Sequence, residues 1–335
     1  MAVATISEYS ASINTPQMVK APILAGGKPV QKNGRQIKYA GGFCVVFPYE
    51  TPRKKYAVRC WHINIADIQK RTRIISEAIH ASKLLYFVGF DYIPNGLQTA
   101  QGAQDIVVMD WVNAQTLKRY IADHINQPAK LIELANRFKT MVADLHSHNF
   151  AHGDLQHGNI MVKDDGSLVL VDYDSMYVPA LDGYSDVIKG LAGYQHPARW
   201  KNCSVNEKID YFSELIIYTS IVALSKFPHL WKELNLEDTE TMLFSPEDIS
   251  SKGSSRIFYL LDKDAELKNL SSRIKEYLRK DNITDIEPLE EAIKDPVQSV
   301  VEGMSGKWRD SGYQSPKAQT ADDFEEIAKD ISGRW

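Results

Sequence analysis

The stretch FAHGDLQHGNIMV, residues 150–162, sets two histidines, an aspartate and an asparagine between two apolar segments. Before it, in Pro128 to Ser147, Leu131, Leu134, Ala135, Phe138, Met141, Val142 and Leu145 recur at helical spacing. After it, SLVLVDYD (167–174) is an apolar β-type run. Polar groups wedged between segments built to be buried must be satisfied or useful. An Asp and an Asn five residues apart on one loop, Asp154 and Asn159, can divide a task. The carboxylate orients a hydroxyl and accepts its proton, and the amide oxygen binds a hard cation. Asp172, thirteen residues past Asn159 at the end of the β run, offers a second carboxylate to the same cation. Phosphoryl transfer needs such parts, because its catalysis is mainly positioning and charge neutralisation.

The chain around this loop has 335 residues, enough for one large two-lobed domain or two ordinary ones. Its hydrophobic content of 44% supports a sizeable core, and a net charge of −4 gives no global basic character to attract nucleic acid. Cys44, Cys60 and Cys203 have no metal-type spacing and read as reduced thiols of a cytoplasmic protein. The first residues lack a basic stretch followed by an apolar run, so no signal peptide is expected. The longest apolar run, Leu215 to Leu224, is too short to span a bilayer and reads as a buried helix, so no membrane partner is expected.

Organisation follows from periodicity. Asn33-Gly34 is a hairpin signal between the arms KPVQK and RQIKY. GGFCVVFPY and KKYAVRCWHI are β-type, Ala66 to Leu84 is helical with Ile68, Ile75 and Ile79 on one face, and FVGFDYI and DIVVMDWV are two further strands. After Asn113 the character turns helical, with helices expected at Thr116 to Ile125, Pro128 to Ser147 and Ile209 to Leu224. VEGMSGKWRDSGYQSPKAQ has a linker's composition, and Thr320 is placed to cap a last helix, DDFEEIAKDI. The fold class is therefore α+β and bilobal, a small β-rich lobe with one helix and a large helical lobe, not a doubly wound parallel sheet. The expected divisions are 1–27 (an extension), 28–112 (N-lobe), 113–295 (C-lobe) and 296–335 (tail).

His152-Gly153-Asp154-Leu155 with Asn159, followed by Asp172-Tyr173-Asp174, resembles the protein-kinase superfamily, whose signature is H-R-D-L-x-x-x-N and D-F-G. The resemblance implies Asp154 as catalytic base, Asn159 and Asp172 as ligands of Mg2+ or Mn2+, and His152 and Tyr173 as packing elements. Upstream, Ala57-Val58-Arg59 stands at the A-x-K strand, so Arg59 takes the place of the phosphate-binding lysine. YAGGFCVVF resembles the glycine loop, with Gly41 its middle glycine and Val46 its adenine-covering valine. Glu77, eighteen residues after Arg59, stands for the helix glutamate that partners the lysine. Met109, Asp110 and Val112 fall at the hinge, and Ala57 and Met161 would sandwich adenine with Val46. GYQHP (193–197) resembles the end of an activation segment, and Asp210 the helix-start aspartate that ties down the catalytic loop. The similarity runs from about Lys28 to Lys226.

ATP is thus the implied nucleotide and a protein Ser/Thr hydroxyl the implied acceptor. Three departures bear on mechanism: Gly153 replaces the Arg of H-R-D, Gln156 the lysine that commonly contacts the transferred phosphate, and Arg59 the other lysine. The first implies that phosphorylation of the 175–192 segment is not the switch. The competing readings are a nucleotide-binding pseudokinase, a small-molecule kinase of the aminoglycoside or choline type, and a nucleotidyl transferase.

Overall fold

Two-residue alternation along the first long strands decides how the N-terminal half is built. The computed structural model describes residues 3–201 and 204–294, and residues through Ala292 form one unit. The chain begins with α1 (Ile6–Ile13), started by a capping box in which Thr5 and Glu8 satisfy each other's backbone N–H groups. Short strands β1 (Lys28–Pro29), β2 (Gln31–Lys32), β3 (Arg35–Gln36) and β4 (Tyr39–Ala40) follow. The β2–β3 hairpin turns at Asn33-Gly34, both with positive φ, as the dipeptide foretells. Then come β5 (Cys44–Glu50), β6 (Lys55–Trp61), α2 (Ile68–Ser82), β7 (Phe90–Thr99) and β8 (Gly102–Asp110). The main sheet is antiparallel in the order β1-β5-β6-β8-β7, with β4 also on β5.

Cross-strand partners share a face. Val46 pairs with Arg59 and Ala57 with Met109, so these four side chains lie on one side of the sheet. Val45, Phe47, Val58, Cys60, Ile106 and Val108 take the other side. There they form one cluster with Tyr9 and Ile13 of α1 and with Ala21 and Leu24. Val46 and Ala57 on the first side stay half-buried, so alternation along β5 and β6 separates a closed core face from a more open one. Residues between Ala4 and Leu24 supply the covering layer on the outer face. The Tyr9 hydroxyl lies 2.9 Å from the Trp61 carbonyl and 3.2 Å from Gln104 Oε1, fixing α1 to the sheet. Fully burying a side chain such as Ile13 or Leu24 is worth about 2 kcal/mol. Strands β7 and β8 are longer toward their shared turn than the apolar runs indicate, because a register shift between Ile93 and Leu97 absorbs Pro94 and Asn95-Gly96.

The C-terminal half is helical. A three-stranded sheet joins β9 (Gln115–Thr116), β10 (Ile160–Val162) and β11 (Leu168–Leu170), with α3 (Leu117–Asp123) and α4 (Pro128–Ser147) between β9 and β10. Thr116 caps α3, and α4 spans the residues its periodicity predicts. Helix α5 (Tyr211–Lys226) is buried on every side, packed by α4 and later by α9. It starts two residues after Ile209 because Asp210 takes the cap position. Smaller helices α6 (Leu230–Glu233), α7 (Pro246–Ser250) and α8 (Arg256–Leu261) lead to α9 (Ala265–Tyr277) and α10 (Leu289–Ala292). The expected bilobal α+β fold is what forms. Among the described residues no helix is long and apolar enough to cross a membrane. Cys44 and Cys60 are free and buried; Cys203 and the helix expected after Thr320 lie outside the described residues.

Candidate active site

The loop between α4 and β10 is anchored by backbone contacts before any functional side chain is placed. Ala151 and Tyr177 exchange backbone hydrogen bonds of 3.1 and 2.8 Å. The Gly153 N–H donates to both oxygens of Asp210, at 3.1 and 3.0 Å. Gly153 has φ 78°, and a Cβ there would lie 2.0 Å from the Ser175 carbonyl oxygen. Only glycine fits, so the arginine of the H-R-D pattern has no place here.

Held this way, Asp154 meets Asn159. Asn159 Nδ2 donates to the Asp154 carbonyl at 2.8 Å and to Oδ2 at 3.0 Å, while Oδ1 of Asp154 accepts the Leu191 N–H at 2.9 Å. With its NH2 so engaged, Asn159 keeps its side-chain oxygen as an acceptor. Burial pushes the Asp154 carboxyl above the usual carboxylate range, against the lowering effect of the Leu191 N–H. Asn159 also accepts the Val171 N–H on its backbone oxygen at 3.0 Å, which brings Asp172 beside the loop. Asp172 sits at φ 68°, and its side chain is 48% exposed. No group of three or more His, Cys, Asp or Glu side chains suited to a metal occurs among the described residues. The oxygen ligands available at this loop are one amide and one carboxylate, a set that suits a cation shared with phosphate oxygens.

Arg59 reaches the same place from β6. Its Nη2 lies 3.0 Å from Asp172 Oδ1 and 2.5 Å from Asp174 Oδ2, and its Nε donates to Cys44 Sγ at 3.0 Å. Glu77, the expected partner, is exposed on the outer face of α2. The residues α2 turns inward are Ile68, Arg71, Thr72, Ile75, Ser76 and Ile79, so helical phase keeps Glu77 off the buried face. Asp174, 5% exposed, replaces it. Sequence reading missed it, though a second carboxylate two residues after Asp172 was the visible signal. Burial raises the Asp174 carboxyl to about 6 against the pull of Arg59. Partial burial pushes Asp172 the same way, but there Arg59 wins and the carboxyl ends below its ordinary range. Glu77→Ala should therefore shift the melting temperature by no more than about 1 °C, as for ordinary surface changes. Asp174→Ala should cost about 3 kcal/mol, because a buried charge loses a partner. Thermal unfolding of the two variants checks this, and equal shifts would return Glu77 to the clamp.

The sheet face carrying Arg59 also presents Val46, Ala57 and Met109, the side chains expected against adenine. Met161, half-buried, comes from β10, where it pairs with Thr116 and Val169. Strand β8 ends at Asp110, whose carboxylate pairs with Lys54 at 2.6 Å and whose N–H donates to Gly89 O. A Cβ at Gly89 would lie 2.8 Å from Asp110 Oδ2, so the Asp110 side chain would have to turn aside. Neither the N–H nor the C=O of Val112 has a hydrogen-bond partner among the described residues. Gly41 lies in the exposed turn between β4 and β5, where His62 Nε2 is 3.0 Å from its carbonyl. Gln156 turns back on its own loop, its Oε1 accepting the Gly158 N–H at 2.7 Å.

Behind the site Tyr173 is fully buried. Its hydroxyl donates to Leu170 O at 2.6 Å and accepts the Val88 N–H at 3.0 Å, and its ring contacts Phe87, Phe90 and His152. His152 Nε2 in turn lies 2.9 Å from Val171 O. These packed rings link the Asp154 loop, the DYD turn and the strand beside α2.

No curated protein matches the chain. Among solved structures, the kinase PK-1 of Cydia pomonella granulovirus superposes with a TM-score of 0.51 at 13% identity, covering 81% of this chain and 94% of that one. At that identity the likeness is one of fold. A family model described as the protein kinase domain matches residues 40–295. A two-lobed fold, a loop joining Asp154 to Asn159 beside Asp172, and a family match over most of its length place the chain in the protein kinase domain family.

Proposed function

We propose that this phosphotransferase of protein-kinase type transfers the γ-phosphate of ATP to a protein Ser/Thr hydroxyl, with Asp154 as the base. The observation that carries the reading is that Asp154 meets Asn159 while Arg59 reaches Asp172, whose neighbour Val171 is bonded to the Asn159 backbone. Asp154 is buried enough for its proton affinity to rise, which suits a group that must accept a proton from a hydroxyl. Asn159 and Asp172 would hold Mg2+ or Mn2+, which when bound neutralises charge on the phosphates. Arg59 is held by Asp174, and on this reading its guanidinium would meet the phosphates without a contribution from Glu77. Val112 offers its backbone to adenine between Val46, Ala57, Met109 and Met161. We keep 112/113 as the proposed lobe boundary, with 296–335 as a tail.

The test is incubation with ATP labelled at the γ- or the α-phosphate, a divalent cation and generic protein acceptors. Protein labelling from the γ-phosphate, lost in Asp172→Ala, supports the proposal. Label only from the α-phosphate indicates nucleotidyl transfer, label only in small hydroxyl compounds a small-molecule kinase, and a cation-dependent thermal shift without turnover a nucleotide-binding module.

Arg59→Ala should weaken nucleotide binding at least tenfold. Two unit charges 4 Å apart interact by about 4 kcal/mol at an effective dielectric near 20. Titration calorimetry checks this, and an unchanged dissociation constant would remove Arg59 from the phosphate site.

A further inference from the structure

Arg199, just beyond the GYQHP motif, is the largest fully buried side chain among the described residues. A guanidinium has five N–H donors, and here the ring of acceptors is complete. Nε and Nη2 grip the two oxygens of Asp186 at 2.9 and 3.0 Å, and Nη2 also donates to Ile188 O at 3.2 Å. Nη1 donates to Gln195 Oε1 at 2.5 Å and to the carbonyl of Gly153. The cluster thus joins two separate pieces of chain. One is the loop whose next residue is Asp154. The other is the 186–195 segment, whose Leu191 N–H reaches the Asp154 carboxylate and whose Gly190 lies against it, a Cβ there falling 2.7 Å from Oδ1. Asp186 is further held by Lys189 at 3.1 Å, and the neighbouring Ser185 carbonyl accepts a 2.9 Å hydrogen bond from Arg71 of α2.

We propose that Arg199 is a positioning residue for Asp154, fixing through one guanidinium both the loop that carries this carboxylate and the segment that donates to it. The inference rests on Asp154 being the base, as read above. None of the partners of Arg199 is among the residues expected to hold nucleotide or metal. Its loss should therefore fall on the transfer step and spare nucleotide affinity.

A purely structural ion pair makes a different prediction. Removing one member strands a buried charge and destabilises the fold, whereas removing both is close to neutral. The experiment compares Arg199→Met, Asp186→Asn and the double variant for melting temperature, nucleotide dissociation constant, and kcat at saturating nucleotide and acceptor, below every melting transition. The singles should melt lower than wild type and the double should regain most of that loss. All three should keep a nucleotide dissociation constant within about threefold, with kcat down at least thirtyfold, and Arg199→Lys should remain impaired because it cannot reach four acceptors at once. A double variant that regains wild-type kcat along with its stability overturns the proposal, as does a loss of nucleotide affinity matching the loss of kcat. If the singles do not fold, the double decides alone. If wild type itself transfers no phosphate, the functional reading fails first and this inference falls with it. Active wild type with active variants condemns the inference alone.

Discussion

Asp154→Asn should lower kcat for phosphate transfer by about a thousandfold, within the range a positioned general base contributes, while changing nucleotide affinity by less than about threefold. The substitution is nearly isosteric. An amide oxygen at Oδ1 can still accept the Leu191 N–H, so the 186–195 segment keeps that contact. What disappears is the capacity to take a proton. One new conflict arises, since the amide NH2 would face Asn159 Nδ2, which now donates to Oδ2 at 3.0 Å. That conflict costs on the order of 1 kcal/mol, too little to unfold the protein. On the proposed reading nucleotide binding relies on Val46, Ala57, Met109 and Arg59, which share a sheet face, so it should persist. Single-turnover transfer and calorimetric nucleotide titration on the same preparation measure both quantities. Transfer within tenfold of wild type would remove Asp154 as base.

Gly153→Ala should destabilise the fold by about 4 kcal/mol or more, placing it among the severe point mutations. Two costs add. An alanine at φ 78° is left-handed, which costs about 1–2 kcal/mol. Its Cβ would also lie 2.0 Å from the Ser175 carbonyl oxygen, so the catalytic loop and the segment after Asp174 would have to part. Gly34 separates the two costs. It has φ 73° and open space around it, so Gly34→Ala reports the dihedral cost alone. Denaturant unfolding should show Gly153→Ala falling well below Gly34→Ala, and equal midpoints would show that Ser175 yields. The glycine in HGD is thus a packing requirement.

Much of the molecule was legible because its signals are local. The α4 periodicity, the Asn33-Gly34 turn and the Asp154 to Asn159 spacing depend on residues within a few positions of one another, where backbone geometry alone decides. Helix α1 was legible in principle, since Thr5 and Glu8 form a capping box, but its apolar face is short and gave no long repeat. Its role is another matter. That Tyr9, Ile13 and Leu24 cover the outer face of the sheet follows only once β5, β6 and β8 are assembled.

By itself, the sequence determined the fold class and the loop that carries the candidate chemistry. Tertiary structure decided the partners of the charges. Arg59 had Glu77 as the expected neighbour, yet it closes on Asp174, and Arg199 closes on Gly153 and Asp186. Spacing along a chain sets which face a residue occupies. Which carboxylate meets a guanidinium depends on which one is carried with it out of water, where an unpaired charge is costly, and that is settled only when distant segments pack.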